Sequence, residues 1–149
     1  ELAGTRYSCK KYAEKALENE KLQYILECGR LAPTAKNLQE QRIYVAESPE
    51  VHAAIDQCTP CRYGAPVVLV VAFNKHDVYT YPGGKRDSGI EDATIVATHL
   101  MLAAADAGVD SCWVCSRRSG AASQSFLAQA SRRDCSAHLN SVVDNQTAI

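Results

Sequence analysis

Several groups of residues have types and spacings that could do chemistry. Cys58-Thr59-Pro60-Cys61 and Cys112-Trp113-Val114-Cys115 each place two thiols three residues apart, a spacing used by zinc sites and by thiol redox motifs. Paired zinc-binding motifs are separated by about 15–20 residues, and the gap here is far longer. The second pair also falls on a predicted strand, where residues three apart point to opposite faces. A thioredoxin-like motif follows a strand and opens a helix. Cys58 instead follows a helical segment and precedes a strand. The simplest reading makes Cys28, Cys58 and Cys112 small core residues. His99 sits inside an apolar helix, the setting of a hydrogen-bonded core histidine, and no Ser, Asp or Cys stands at a spacing that builds a triad with it. His52, His76 and His138 have no companions either. No catalytic side chain and no metal-ligand set is assigned. Near the start, Arg6, Ser8, Lys10 and Lys11 lie close together. Taken alone, these cations are solvated surface charges.

The elements that must position these residues are organised around Asp87–Val114, one long buried helix followed by a strand. Ile90, Ala93, Ile95, Val96, Ala97, Leu100, Met101, Leu102, Ala103, Ala104 and Ala105 leave hardly any polar face, and a helix apolar all round belongs in a protein interior. Glu91 and Asp92 occupy the first turn, where the helix dipole favours acids, and Gly108 is the left-handed stop. Thr94, Thr98, His99 and the acidic ends argue for a core helix over Ile90–Ala107 rather than a membrane span. Upstream, Glu18–Leu31 reads as a helix with Leu22, Ile25 and Leu26 on one face, ending before Pro33. Pro33–Gln39 is a polar loop. Arg42–Ala46 fits a strand, and Ser48-Pro49 opens a helix to Gln57. Ala65–Phe73 is a Val-rich run suited to a strand buried on both faces. Asn74–Gly89 is a loop turning at Pro82-Gly83-Gly84, and Asp110–Val114 is a third strand.

The chain has 149 residues, 46% of them hydrophobic and 22% charged, which predicts a single globular domain over residues 1–149. A net charge of −1 gives no basic field for nucleic acid and no polybasic run for a membrane surface. Seven cysteines, an odd number, do not suit a secreted disulfide framework, so the expected compartment is cytoplasmic with reduced thiols. No signal peptide precedes Glu1, although the chain does not begin with Met.

Three separated stretches then line up with one family. RYSCKK, GRLAPTAKNLQ and DATIVATHLMLAAADAGVDSCWV resemble the FMN-dependent nitroreductases, in order and spacing, across residues 5–115. The resemblance implies an α+β fold, a central sheet flanked by helices around the long buried helix, in an intertwined homodimer. It implies that Arg6, Ser8 and Lys10, with Tyr7 between, hold the flavin phosphate, a dianion suited to a guanidinium fork, an ammonium and a hydroxyl. Pro33, Thr34, Ala35, Asn37 and Gln39 match the segment that reaches the flavin from the other subunit, and as residues alone they are a helix-to-strand turn. The family's usual proline after the Gln is Glu40 here. Trp113, Val114 and Cys115 match the segment lying against the flavin ring. Trp113 reads equally well as a core aromatic.

The implied activity is a flavin oxidoreductase, with NAD(P)H passing hydride to FMN and an acceptor such as a nitroaromatic or quinone taking it onward. The chemistry would belong to the cofactor. Two other readings stay open: an FMN-binding protein without efficient turnover, and a thiol or zinc protein using the CxxC pairs. From Ser116 onward the chain turns dense in Ser, Ala and Arg and is assigned no strand. The family's following helix, strand with a Gly-Tyr-Pro-like turn and flavin-binding basic residues do not appear, which reads as a shifted, truncated or misassigned C-terminal sequence.

Overall fold

The computed structural model describes residues 1–114 together with Thr147 and Ala148. At its centre is strand β2, Val68–Phe73, all but its last residue buried. Its residues divide by parity, as a pleated strand requires. Leu69 and Val71 enter one core cluster with Leu22, Ile25, Ala93, Val96, Ala97 and Leu100. Val68, Val70 and Ala72 enter a second, with Ala46 and Ile55. A strand with helices on both faces must be apolar on both, and the Val-rich run carries that signal.

Strand β1, Gln41–Ala46, pairs antiparallel with β2 from Gln41↔Phe73 to Ala46↔Val68. On one face of this ladder lie α2, Asn19–Arg30, and α4, Gly89–Asp106; on the other lies α3, Pro49–Cys58. Pro49 holds the first position of α3, and the Ser48 hydroxyl accepts from the Val51 N–H, closing the helix start as the sequence implies. Helices α2 and α4 cross at Gly29, where an added Cβ would stand 2.5 Å from Leu100 Cδ2. Leu100 is fully buried, so only a glycine fits. Gly108, at φ +70, ends α4 in the left-handed conformation expected of it.

Four features differ from the sequence reading. A short helix α1, Leu2–Thr5, opens the chain. Among the described residues, Asp110–Val114 joins no strand ladder; Ser111 makes an isolated parallel bridge with Ser8. The partner here is a short extended stretch just after α1, and it keeps register for one residue pair. Within the segment assigned no strand, Thr147–Ala148 forms β3, antiparallel to β2 with Val70↔Ala148 and Val71↔Thr147, giving the sheet order β1-β2-β3. Finally, α4 is not enclosed all round: Ala93, Val96, Ala97, Leu100, Ala103 and Ala104 are buried, whereas Ile90 is 43% exposed. Met101 and Leu102 are half-buried. One apolar face of the central helix is therefore left partly open. Among the described residues, no helix is long and apolar enough to cross a membrane.

Candidate functional site

The Ser8↔Ser111 bridge joins the chain's first cations to the exit of its central helix. Arg6 has extended backbone at φ −67 and ψ 137, and the Cys9 N–H donates to the Ser111 carbonyl at 3.0 Å. In an extended stretch alternate residues share a face, which groups Arg6, Ser8 and Lys10. Cys9, on the other face, is buried, while Ser8 and Lys10 are exposed. Between them the Tyr7 hydroxyl donates to Asp110 Oδ2 at 2.9 Å. That hydrogen bond, and then the charge of Asp110, raise the Tyr7 phenol to about 12.

Two thiols report on where the cations lie. Burial pushes the Cys112 thiol up, and the charges of Lys10 and Arg6 pull it back. Cys61 is held below the usual thiol range by hydrogen bonding to Tyr63 and Thr59 and by Lys10. Arg6 and Lys10 thus act on one point beside Ser111–Trp113. Neither forms an ion pair among the described residues, and the buried Ser111 hydroxyl has no hydrogen-bond partner there. Two cations without an ion pair among the described residues and an exposed hydroxyl make a donor set suited to an anion with several oxygens.

Past the bridge, Trp113 packs against the core cluster built on α2 and α4. Val114 lines a small cavity of about 20 Å³ with Tyr12, Cys61 and Cys112. Cys115 lies outside the described residues. A cavity of about 300 Å³ opens alongside, lined among others by Lys11, Tyr12, Ile25, Leu69, Leu100 and Ser111, and none of the sequence-predicted contact residues borders it.

The second sequence-predicted group is elsewhere. Pro33, Thr34, Ala35, Asn37 and Gln39 wrap the other end of α4, the Ala35 N–H donating to Asp92 Oδ1 at 2.9 Å. The loop crosses itself, the Gln39 N–H donating to Thr34 Oγ1 at 3.0 Å. Lys36, Asn37 and Gln39 take positive φ of 52, 55 and 53, a conformation that non-glycine residues hold only where their surroundings impose it. Within one chain the two groups stand at opposite ends of a helix of 18 residues, separated by roughly 25 Å at 1.5 Å per residue. A single copy does not bring Asn37 to Ser8.

Three contributors were not singled out as site residues from sequence: Asp110, Ser111 and Asp92. Asp92 carried a signal only as an acid in a first helical turn, and Ser111 carried none. Among the described residues, no group of three or more His, Cys, Asp or Glu side chains is placed to hold a metal ion. His99 Nδ1 lies 2.9 Å from the Ile95 carbonyl, the satisfied core histidine expected.

Comparison with known proteins was made by sequence and by fold. The family model described as Nitroreductase family matches residues 3–59 and 60–137, running past residue 115, where the sequence resemblance stops. A nitroreductase family protein of Clostridium difficile 630 has a similar structure, with TM-score 0.86 and 28% identity, over 99% of this chain and 80% of that one. An FMN-dependent nitroreductase of Clostridium difficile R20291 superposes with TM-score 0.76 and 24% identity, over 99% and 83% of the two chains. A nitroreductase from Desulfovibrio desulfuricans, described as putative and in complex with FMN, gives TM-score 0.69 and 19% identity over 99% and 80%. Comparison with curated proteins gave no match.

Proposed function

The chain belongs to the nitroreductase family, and from that premise we propose that it is an FMN-dependent oxidoreductase drawing on NAD(P)H, its flavin seated between two copies of the chain. The convergence of Arg6, Ser8 and Lys10 on Ser111 through the Ser8↔Ser111 bridge is the observation that carries this reading. Those groups, uncommitted among the described residues, fit a phosphate dianion. Arg6 offers a guanidinium fork, Lys10 a point charge and Ser8 a hydroxyl. Trp113, Val114 and Cys115 follow directly and would lie along the ring. FMN, when bound, supplies the hydride chemistry that links NAD(P)H to an acceptor such as a nitroaromatic or quinone. The protein's part is to hold the phosphate, orient the ring and exclude water from it. No side chain of this chain is assigned as acid or base.

Two observations support a homodimer. The apolar face of α4 left open around Ile90 needs cover, and a second copy of a helix apolar on both sides provides it. The loop containing Pro33, Thr34, Ala35, Asn37 and Gln39 is held about 25 Å from the phosphate group along the same helix; a second copy can present it to the first copy's cations. In this reading residues 1–149 act as one flavin domain, in the cytoplasm.

A visible spectrum of the purified protein tests the function. The expected result is flavin absorption in proportion to protein, bleached anaerobically by NADH or NADPH and restored by a quinone or nitroaromatic. Flavin bands that ignore both nucleotides would leave a flavin-binding protein without turnover. Protein that neither retains nor takes up FMN would refute the proposal.

A further inference from the structure

A cavity of about 300 Å³ lies between the irregular stretch 11–18 and the exit of α4, and none of the residues proposed to hold flavin borders it. The near end of that stretch is fixed by its own bonds: the Tyr12 hydroxyl donates to the Cys9 carbonyl at 3.1 Å, and the Cys9 thiol to the Lys11 carbonyl at 3.1 Å. The walls are apolar. Leu17, Pro66, Val67 and Val109 line the cavity half-buried, and Ile25, Leu69, Leu100 and Ala104 close it from the core side. The rim is charged, and one sign prevails. Lys11, Lys15 and Lys21 border the cavity against two carboxylates, Glu18 and Asp110. Glu18 serves two cations at once: its Oε1 lies 3.3 Å from Lys15 Nζ and its Oε2 3.2 Å from Lys21 Nζ. Together they hold its carboxyl below the ordinary range. Asp110 accepts from the Tyr7 hydroxyl. Lys11 is exposed and forms no ion pair among the described residues.

The geometry points to a second binding site, for a small amphipathic carboxylate: its apolar chain lies against Leu17, Val67 and Val109, and its carboxylate sits at the rim beside Lys11. Small-molecule sites are apolar hollows of this size or larger, with a few polar groups that fix the orientation of the ligand. Here the apolar walls supply the affinity of burial, and the unmatched lysine sets the sign of the head group. The same chain with a cationic head would meet three ammonium groups. The site does not depend on the flavin reading, because no residue is common to the two.

Calorimetric titration of the full chain, with excess FMN present to occupy Arg6 and Lys10, tests this with two probes of one chain length, octanoate and octylammonium. Octanoate should saturate at one per chain and bind roughly tenfold more tightly than octylammonium. Two variants locate it. Lys11→Glu reverses the sign of one rim charge and should narrow or invert that preference. Ala16→Trp places an indole at the cavity's edge and should abolish octanoate binding. Both positions are exposed and border the cavity, which spares the fold. Octanoate bound no better than octylammonium, or a preference unmoved by Lys11→Glu, overturns the charged rim. Octanoate affinity unchanged in Ala16→Trp overturns the cavity as its seat. Wild-type protein with no saturable octanoate binding overturns the site altogether.

Discussion

Tyr7 and Asp110 tie the cation-bearing stretch to the residues leaving α4, and this contact has a pH signature. The Tyr7 phenol is raised from 10.0 to about 12 by its hydrogen bond to Asp110. A raised acid loses its contribution as pH climbs through the folded value, so the tether holds below pH 10 and fails towards 12. Phenolate absorbance should show a late tyrosine step to which Tyr24, also raised to about 12, contributes, and Tyr7→Phe should lower its amplitude by one residue; a late step of equal amplitude in Tyr7→Phe would contradict the contact. Arg6→Ala should weaken FMN retention roughly 10- to 100-fold, the worth of a charge-assisted hydrogen bond, with an unchanged unfolding midpoint. Equal FMN affinity would remove Arg6 from the phosphate site. Arg6, Ser8 and Lys10 were legible only through the family resemblance, since alone these cations read as solvated surface charges. Asp110 and Ser111 were not. Their roles depend on which backbone lies beside them, and residue type alone does not carry that.

Among the elements, α4 and β2 were the most legible. A long apolar helix with acids at its start and glycine at its end, and a run of valines, each have few physical alternatives. Of the strand expected over Asp110–Val114, the described residues show a bridge between Ser111 and Ser8; residue types permit a ladder, and the stretch lying beside them decides how far it extends. Thr147–Ala148 was missed because two residues have no period to read. The seam between α2 and α4 should be the least forgiving place in the fold. Gly29→Ala drives a methyl into the fully buried Leu100 and should cost about 1–3 kcal/mol by overpacking. Leu100→Ala, which empties the same seam, should cost about 2–5 kcal/mol. Denaturant midpoints measure both. If Gly29→Ala left stability unchanged, the close crossing of the two helices would be wrong.

At the scale of the whole molecule, the two sequence-predicted halves of the site are kept apart by the helix that organises the fold. Proximity along the sequence says nothing about this; the length of α4 does. In the proposed homodimer a second copy would resolve the separation and cover the apolar face around Ile90 at once. Breaking each half in a different chain therefore tests the account most directly. Arg6→Ala removes a phosphate contact, and Asn37→Asp places a carboxylate in the loop while keeping a residue type tolerant of left-handed backbone. Each variant alone should lose FMN. Unfolded together and refolded as a mixture, the two should regain flavin, because a mixed dimer carries one site with both lesions and one with neither. Bound FMN per chain in the mixture is the quantity to measure. Recovery approaching one flavin per mixed dimer is the predicted result, and a mixture as empty as its parents would contradict a site shared between two copies.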